Sequence, residues 1–321
     1  MIRRYNAMII GAGNIGAFYD TPDSTNILTH AHAFSKHQGF NLMGFIDTDY
    51  HKAEEASAIW GGSAFHSIEE AFDGGPADIV SIAVPDEFHY EILKKLTLYP
   101  VKLVFGEKPL VETASQAEEI VRLYSERNIP VCINYKRRFV PEYQDIRNSI
   151  KKGRYGNYVT GTGCYGKGII HNGSHLIDML RFLIGEINDI RVIGRQNDFY
   201  DDDPSVAAVL FFEDGRPFYL QFADCNLFSI FEIDLIFEKK RVRIRDLGCA
   251  IEEYAIRENS IFSGYREMAE ISKYNTQLGV SLLFSAANIH GYLLKKEDIV
   301  CTLDDSYKTL LACLRILERH E

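Results

Sequence analysis

Three groups of residues in this chain have types and spacings that could do chemistry. The first is Gly11-Ala12-Gly13-Asn14-Ile15-Gly16, directly after the apolar run Ala7–Ile10. Glycines so spaced allow a tight turn (Gly11), a close backbone approach to phosphate (Gly13) and close packing of a helix on a strand (Gly16). A helix starting at Asn14 and Ile15 would offer bare amides and partial positive charge to an anion. The second is Glu107-Lys108-Pro109, which puts an ammonium where the run Val101–Gly106 ends. The third is His171-Asn172-Gly173-Ser174-His175-Leu176-Ile177-Asp178. An imidazole, with an ordinary pKa of about 6.5, can exchange a proton near neutral pH.

The elements that must position these groups follow from periodicity. Ala7–Ile10, Leu42–Ile46, Asp78–Val84, Val101–Phe105 and Val131–Asn134 are candidate strands, most of them apolar on both faces, as a parallel sheet covered by helices requires. Helical stretches such as Glu87–Leu98 and Ser115–Arg127 alternate with them, and Ser115-Gln116-Ala117-Glu118 has capping-box spacing. The pattern predicts a doubly wound α/β Rossmann domain over residues 1–134. From residue 135 the rhythm changes. A helix led by Pro141, a strand over Tyr155–Tyr165 and a helix over Ser174–Ile184 come first. Strands at Asp189–Arg195, Ser205–Phe212, Pro217–Phe222, Ile230–Phe237 and Arg241–Arg245 follow, with hairpin chemistry at Glu213–Arg216 and closing helices near Leu278–Leu294 and Asp304–Glu318. Residues 135–321 are thus expected to form an α+β domain with a largely antiparallel open sheet.

The glycine turn and Lys108 both fall at strand ends, the edge where open α/β sheets bind ligands. The second strand ends at Asp47, 31 positions beyond Gly16, where an interval of about 20 is usual. The excess lies in residues 18–28, a segment of turn formers around Pro22 that reads as a surface loop, with a helix resuming near Thr29. Asp47 is expected on the adenosine ribose hydroxyls. A 2′-phosphate about 5 Å away would be repelled by roughly 3 kcal/mol at an effective dielectric of about 20, which favours NAD(H) over NADP(H). Val84 and Pro85 shape the turn after the third strand, Asp86 is available as a helix cap, and His89 is expected to pack within the helix. Gly11, Gly13, Asn14, Ile15, Gly16, Asp47, Val84, Pro85, Glu107 and Lys108 are the expected cofactor contacts. Together they point to a nicotinamide-dependent oxidoreductase.

Composition narrows the class. At 321 residues, 46% hydrophobic and 25% charged, the chain is globular and long enough for two domains. Its formal charge of −10 disfavours a nucleic-acid or anionic-membrane surface. No apolar run approaches the roughly 20 residues that span a bilayer, and Met1–Tyr5 runs straight into a strand without a signal peptide. Six scattered cysteines without a Cys-x-x-Cys pair suit reduced thiols in a cytoplasmic protein.

The order of motifs (glycine turn, Asp47, Ala83–His89, Glu107–Pro109, Tyr135–Phe139 and Gly173–Asp178) resembles the Gfo/Idh/MocA oxidoreductase family over nearly the whole chain. The resemblance implies a second domain whose open sheet mediates homo-oligomerisation, and a substrate that is a sugar, cyclitol or related compound. It implies that Lys108 touches the substrate hydroxyl and the nicotinamide ribose, that Lys108-Pro109 is commonly cis, and that His175 exchanges a proton with the reacting hydroxyl. One position departs from the family pattern: His171 stands where the family has aspartate. That leaves two roles for His171, a second proton carrier or a contact to an anionic substrate group.

Substrate contacts are expected from Arg137 and Arg138 in Tyr135–Phe139, from Lys167 in the glycine-rich segment Gly163–Gly168, and from Asn172. Arginines favour bidentate anion contacts, which suggests an anionic or nucleotide-linked sugar; inter-domain salt bridges are the alternative. His171, His175 and Asp178 could share a helix face and ligate a metal, but Asn172-Gly173-Ser174 looks like a helix start that leaves His171 outside, so no metal is expected. Two further functions stay open: a dinucleotide-binding ligand sensor without turnover, and reduction of an imine or other double bond.

Overall fold

Buried, β-branched segments build the centre of a six-stranded parallel sheet in the order β3-β2-β1-β4-β5-β6. Its strands are β1 (Tyr5–Ile10), β2 (Phe40–Ile46), β3 (Ser63–Phe65), β4 (Ile79–Ile82), β5 (Leu103–Gly106) and β6 (Val131–Ile133). Strands β4 and β5 are buried at every position, because helices cover both faces. The architecture comes from a computed structural model that describes residues 3–319. Met1 and Ile2, expected to lead straight into the first strand, lie outside the described residues.

The helices are α1 (His30–Lys36), α2 (Tyr50–Trp60), α3 (Ile68–Asp73), α4 (His89–Leu96), α5 (Ala114–Arg127), α6 (Pro141–Lys151), α7 (Ser174–Leu183), α8 (Ser281–Leu293) and α9 (Leu303–Glu318). Helix α5 has a capping box, but it starts two residues before the expected one. The Thr113 hydroxyl accepts from Gln116 N, and Gln116 Oε1 accepts from Thr113 N. Thr113 is extended while Ser115 is already helical, so only Thr113 can serve as the cap.

An eight-stranded mixed sheet forms in the order β14-β13-β12-β11-β7-β10-β9-β8. It comprises β7 (Tyr158–Tyr165), β8 (Ile187–Gln196), β9 (Ser205–Phe212), β10 (Pro217–Phe222), β11 (Phe231–Phe237), β12 (Lys240–Arg245), β13 (Ala250–Glu258) and β14 (Arg266–Asn275). All its neighbours pair antiparallel except β7 with β10. Burial alternates along β9 and β11, as it does when one face of a sheet packs and the other is open. The buried face carries Phe218, Ile233, Leu235 and Val242 and packs with Leu176, Leu180 and Ile316. The hairpin at Glu213–Arg216 closes through Gly215 N to Phe212 O (2.9 Å).

The described residues fall into two compact units: those up to Phe139 together with Gly279–Lys308, and Val140–Leu278 together with those from Thr309. The return segment Gly279–Lys308 is absent from a reading of two consecutive domains. Within the first unit it covers the edge of β6, where Ile133 N donates to Cys301 O (3.1 Å) and Cys132 bridges Thr302. It also brings Asp305 to Arg138, whose guanidinium lies 2.8 Å from the carboxylate. Burial alone would push Asp305 up. The Arg138 charge and the amide and hydroxyl of Thr302 outweigh it and hold Asp305 below its ordinary value.

A carboxylate with a depressed folded-state pKa stabilises the fold above its unfolded value, and that stability fades as pH falls through the folded value. Asp305→Asn is therefore expected to cost about 2 kcal/mol at neutral pH. The gap should close as pH falls below about 4. Urea melts of both proteins at pH 7 and in acid check this; a gap unchanged in acid contradicts it.

Candidate active site

In the first unit the glycine turn closes against the end of β4. Gly11 has φ +96°, and a Cβ there would stand 2.5 Å from Ala83 O. A Cβ on Gly16 would stand 2.0 Å from Gly11 O, whereas one on Gly13 would meet nothing within 4 Å. Gly11 and Gly16 are thus demanded by packing, and Gly13 is bare on its outer side. The helix start expected after the turn is short: Asn14–Phe18 makes one wide turn, with Tyr19 N donating to Asn14 O (2.9 Å), and then stops where the loop was expected. The first long helix begins only at His30. The cause is the inserted loop, which folds back on Asp20. That carboxylate accepts from Leu28 N (2.6 Å), Thr29 Oγ1 (2.5 Å) and His32 Nδ1 (2.8 Å). An anion at this turn meets the amides of one turn, without the summed dipole of a long helix.

Asp47 lies where β2 ends. Its Oδ2 accepts from Ala12 N (2.8 Å) and its Oδ1 from Asp49 N (2.9 Å). Each oxygen keeps a lone pair for a ribose hydroxyl. Gly11, Gly13, Asp47, Val84 and Pro85 line one cavity of about 970 Å³. The bare face of Gly13, the half-exposed carboxylate and this volume fit a dinucleotide.

One strand further along, Glu107 directly follows β5, with 14% of its side chain exposed. His30 Nε2 lies 2.9 Å from its Oε1, and Asn134 Nδ2 donates to the same oxygen (2.6 Å). His30 Nδ1 meets Ser81 Oγ (2.6 Å), and Ser285 Oγ reaches Asn134 Oδ1 (3.3 Å). Burial would raise the Glu107 pKa; the bonds from His30 and Asn134, with the nearby charges, outweigh it and keep Glu107 ionised below its ordinary range. Lys108-Pro109 is cis. His89 is 2% exposed, as packing predicts, with its ring nitrogens 2.7 Å from Pro109 O and 3.1 Å from Val84 O.

In the second unit Gly168–Gly173 forms a wide turn that leads into α7. His171 lies in the turn, outside α7, as expected. Every residue of α7 is buried except His175. His171 Nδ1 lies 2.8 Å from Asp203 Oδ2, and its ring stacks on Tyr200 at 3.9 Å. Asn172 Nδ2 donates to Gly166 O (2.8 Å). Lys167 is exposed, with its ammonium 4.4 Å from the centre of the Phe199 ring. Asp178 is 1% exposed and accepts from Thr309 Oγ1 (3.1 Å). No group of three or more His, Cys, Asp or Glu among the described residues is placed to hold a metal ion.

The expected anion contacts at Arg137 and Arg138 are both buried, and the Arg138 guanidinium meets Asp305 within its own unit. Sequence reading missed His30, Ser81 and Asn134 around Glu107, and Asp203 and Tyr200 around His171. Thr29-His30-Ala31-His32 opens a helix with two histidines, and Asp201-Asp202-Asp203-Pro204 is an acidic run just before a strand. Both were visible as local oddities, but neither carried a partner.

Fold and cradle together define an NAD-binding Rossmann domain. Residues 5–135 match the Gfo/Idh/MocA model, described as an oxidoreductase family with an NAD-binding Rossmann fold. An inositol 2-dehydrogenase of Corynebacterium glutamicum is 31% identical over 150 residues, 46% of this chain and 41% of that protein. The match thus spans well under half of the relative's length. Two solved structures share the fold across both units. UDP-N-acetylglucosamine 3-dehydrogenase GnnA of Acidithiobacillus ferrooxidans has TM-score 0.77 and 17% identity, covering 98% of this chain and 96% of that one. WlbA dehydrogenase of Bordetella pertussis, solved with NADH and UDP-GlcNAcA, has TM-score 0.79 and 17% identity, covering 98% and 94%. Among the described residues no helix is long and apolar enough to cross a membrane.

Asp47→Asn removes the negative charge and leaves an acceptor for the backbone. The preference for NAD(H) over NADP(H), measured as the ratio of dissociation constants, is expected to fall by about tenfold or more, since a like-charge pair at this range is worth over 1 kcal/mol.

Proposed function

We propose that this protein is an NAD(H)-dependent oxidoreductase that moves a hydride to or from a carbinol carbon of a sugar, cyclitol or sugar derivative. The observation that carries the proposal is Lys108: it follows a buried, ionised Glu107 at the sheet edge whose neighbouring strand ends hold the dinucleotide cradle. The first unit holds the cofactor, and the second supplies the substrate side and, through its open sheet, contacts between copies in a homo-oligomer. A dinucleotide held by the Gly11–Gly16 turn and Asp47 would supply a nicotinamide able to accept or give the hydride. Lys108 donates to the substrate oxygen and lowers the energy of the alkoxide as the proton leaves. His175, the one residue of α7 that is not buried, takes that proton. Lys167 and Asn172 orient the rest of the substrate. Arg138, engaged by Asp305, is not needed for an anionic group, so a neutral polyol suits the site as well as a charged one.

Lys108→Ala and His175→Ala should each lower kcat by about 10²–10⁴ while the NAD(H) dissociation constant stays within about threefold. The measurement is nicotinamide absorbance with a panel of polyols and UDP-sugars, paired with NADH fluorescence titration. NAD(H) binding without turnover of any polyol would identify a dinucleotide-dependent sensor instead.

A further inference from the structure

We infer that Asp203 is a positioning residue that makes His171 the second proton acceptor of the site; this rests on the oxidoreductase proposal above. Asp203 comes from the loop before β9, 32 positions after His171, and is 3% exposed. Its Oδ1 accepts from Ile170 N (2.9 Å), and its Oδ2 accepts from His171 N (2.9 Å) and His171 Nδ1 (2.8 Å). One carboxylate therefore fixes both the backbone of the turn and the ring carried on it. The fit is close: a Cβ on Gly168, which has φ +76°, would stand 2.1 Å from Asp203 Oδ2. Only glycine lets the turn wrap the carboxylate this tightly.

The chemistry follows from the acceptor. An ionised carboxylate can only accept, so the neutral His171 ring carries its hydrogen on Nδ1, and Nε2 becomes the basic nitrogen. Tyr200, stacked 18° from parallel on the imidazole, limits rotation of the ring. The loop that carries both residues is itself tied down: Asp198 accepts from Lys167 N (2.6 Å) and from Ser205 Oγ (2.9 Å). His171 still exposes 30% of its side chain. When the substrate O–H bond breaks, its electron pair stays on oxygen, and the proton first taken by His175 can pass on to Nε2 of His171. The resulting imidazolium then faces a carboxylate that is already in place.

The alternative role for His171, contact to an anionic substrate group, fits poorly with this arrangement. The ring's immediate partner is an anion, and Asp198 lies in the same loop. Burial works against ionisation of Asp198, but the Lys167 amide, the Ser205 hydroxyl and the Cys225 amide outweigh it and hold the carboxyl below its ordinary value.

The test is Asp203→Asn in the full chain, read in two ways. In ¹⁵N-histidine NMR at about pH 9, where a free imidazole is neutral, the His171 signals (assigned by their loss in His171→Gln) should show the Nδ1–H tautomer in the parent. They should shift toward Nε2–H in Asp203→Asn. In kinetics with whichever of myo-inositol, D-glucose or UDP-N-acetylglucosamine the parent turns over, kcat should fall tenfold or more, with KM changed less than threefold. Asp203→Asn that keeps the parent tautomer overturns the inference even if activity drops, because Asp203 would then only brace the turn. Unchanged kcat with a switched tautomer overturns it too. If none of the three compounds is turned over by the parent, the oxidoreductase proposal is what fails, and the tautomer still decides whether Asp203 sets the ring.

Discussion

A carboxylate kept ionised inside the protein, Glu107, is the constraint on which the first unit's chemistry depends. Removing such a group from water is expensive unless hydrogen bonds and opposite charge replace the lost solvation. Here the replacement comes from three elements at once: His30 on α1, Ser81 behind it on β4, and Asn134 just after β6, with Ser285 of α8 bracing Asn134. Each of these residues is held by the need to satisfy the next. Lys108 follows Glu107 directly in the chain, so the position of its backbone is set by a network reaching across three parallel strands. A lysine on an unconstrained turn would pay side-chain and backbone entropy each time it met a substrate.

The same device recurs through the molecule, and it changes how the net charge of −10 should be understood. Asp20 closes the inserted loop, Asp47 holds the glycine turn by Ala12 N, Asp198 and Asp203 hold the turn that carries Lys167 and His171, and Asp305 caps the return segment. These carboxylates accept backbone amides that no helix or sheet satisfies. Loops rich in orphan donors are thereby fixed without an extended secondary element. Part of the acidity thus serves the architecture of turns.

The parallel sheet was legible because its strands are apolar on both faces, a pattern few other structures share. Ser205–Phe212 and Pro217–Phe222 were legible to the residue, since alternation and a Gly-containing hairpin mark them. Strand β3 escaped because three half-exposed residues carry no period. Strands β13 and β14 escaped because Glu, Arg and Lys interrupt any apolar alternation in them; they hold by pairing with each other, at the sheet's outer edge, more than by burial. The break after Gly16 was legible in the turn formers around Pro22, which cut the helix start that the motif names to a single turn. Of the candidate site, the residue types were visible and their partners were not. His30 meets Glu107 across 77 positions and His171 meets Asp203 across 32, separations that only the folded topology closes.

The segment that returns to cover β6 has a consequence for biosynthesis. Domains generally fold as units, amino-terminal ones first, while the ribosome is still adding residues. Here β6 keeps an open hydrogen-bonding edge until Cys301 and Thr302 have been translated, long after the strand itself. Until then the nucleotide-binding half is a nascent chain with an uncapped sheet, the kind of edge that invites pairing with a neighbour on the same polysome. A fragment cut at residue 139 keeps that edge permanently. Isolating this half as a soluble piece therefore requires splicing the return segment back onto it.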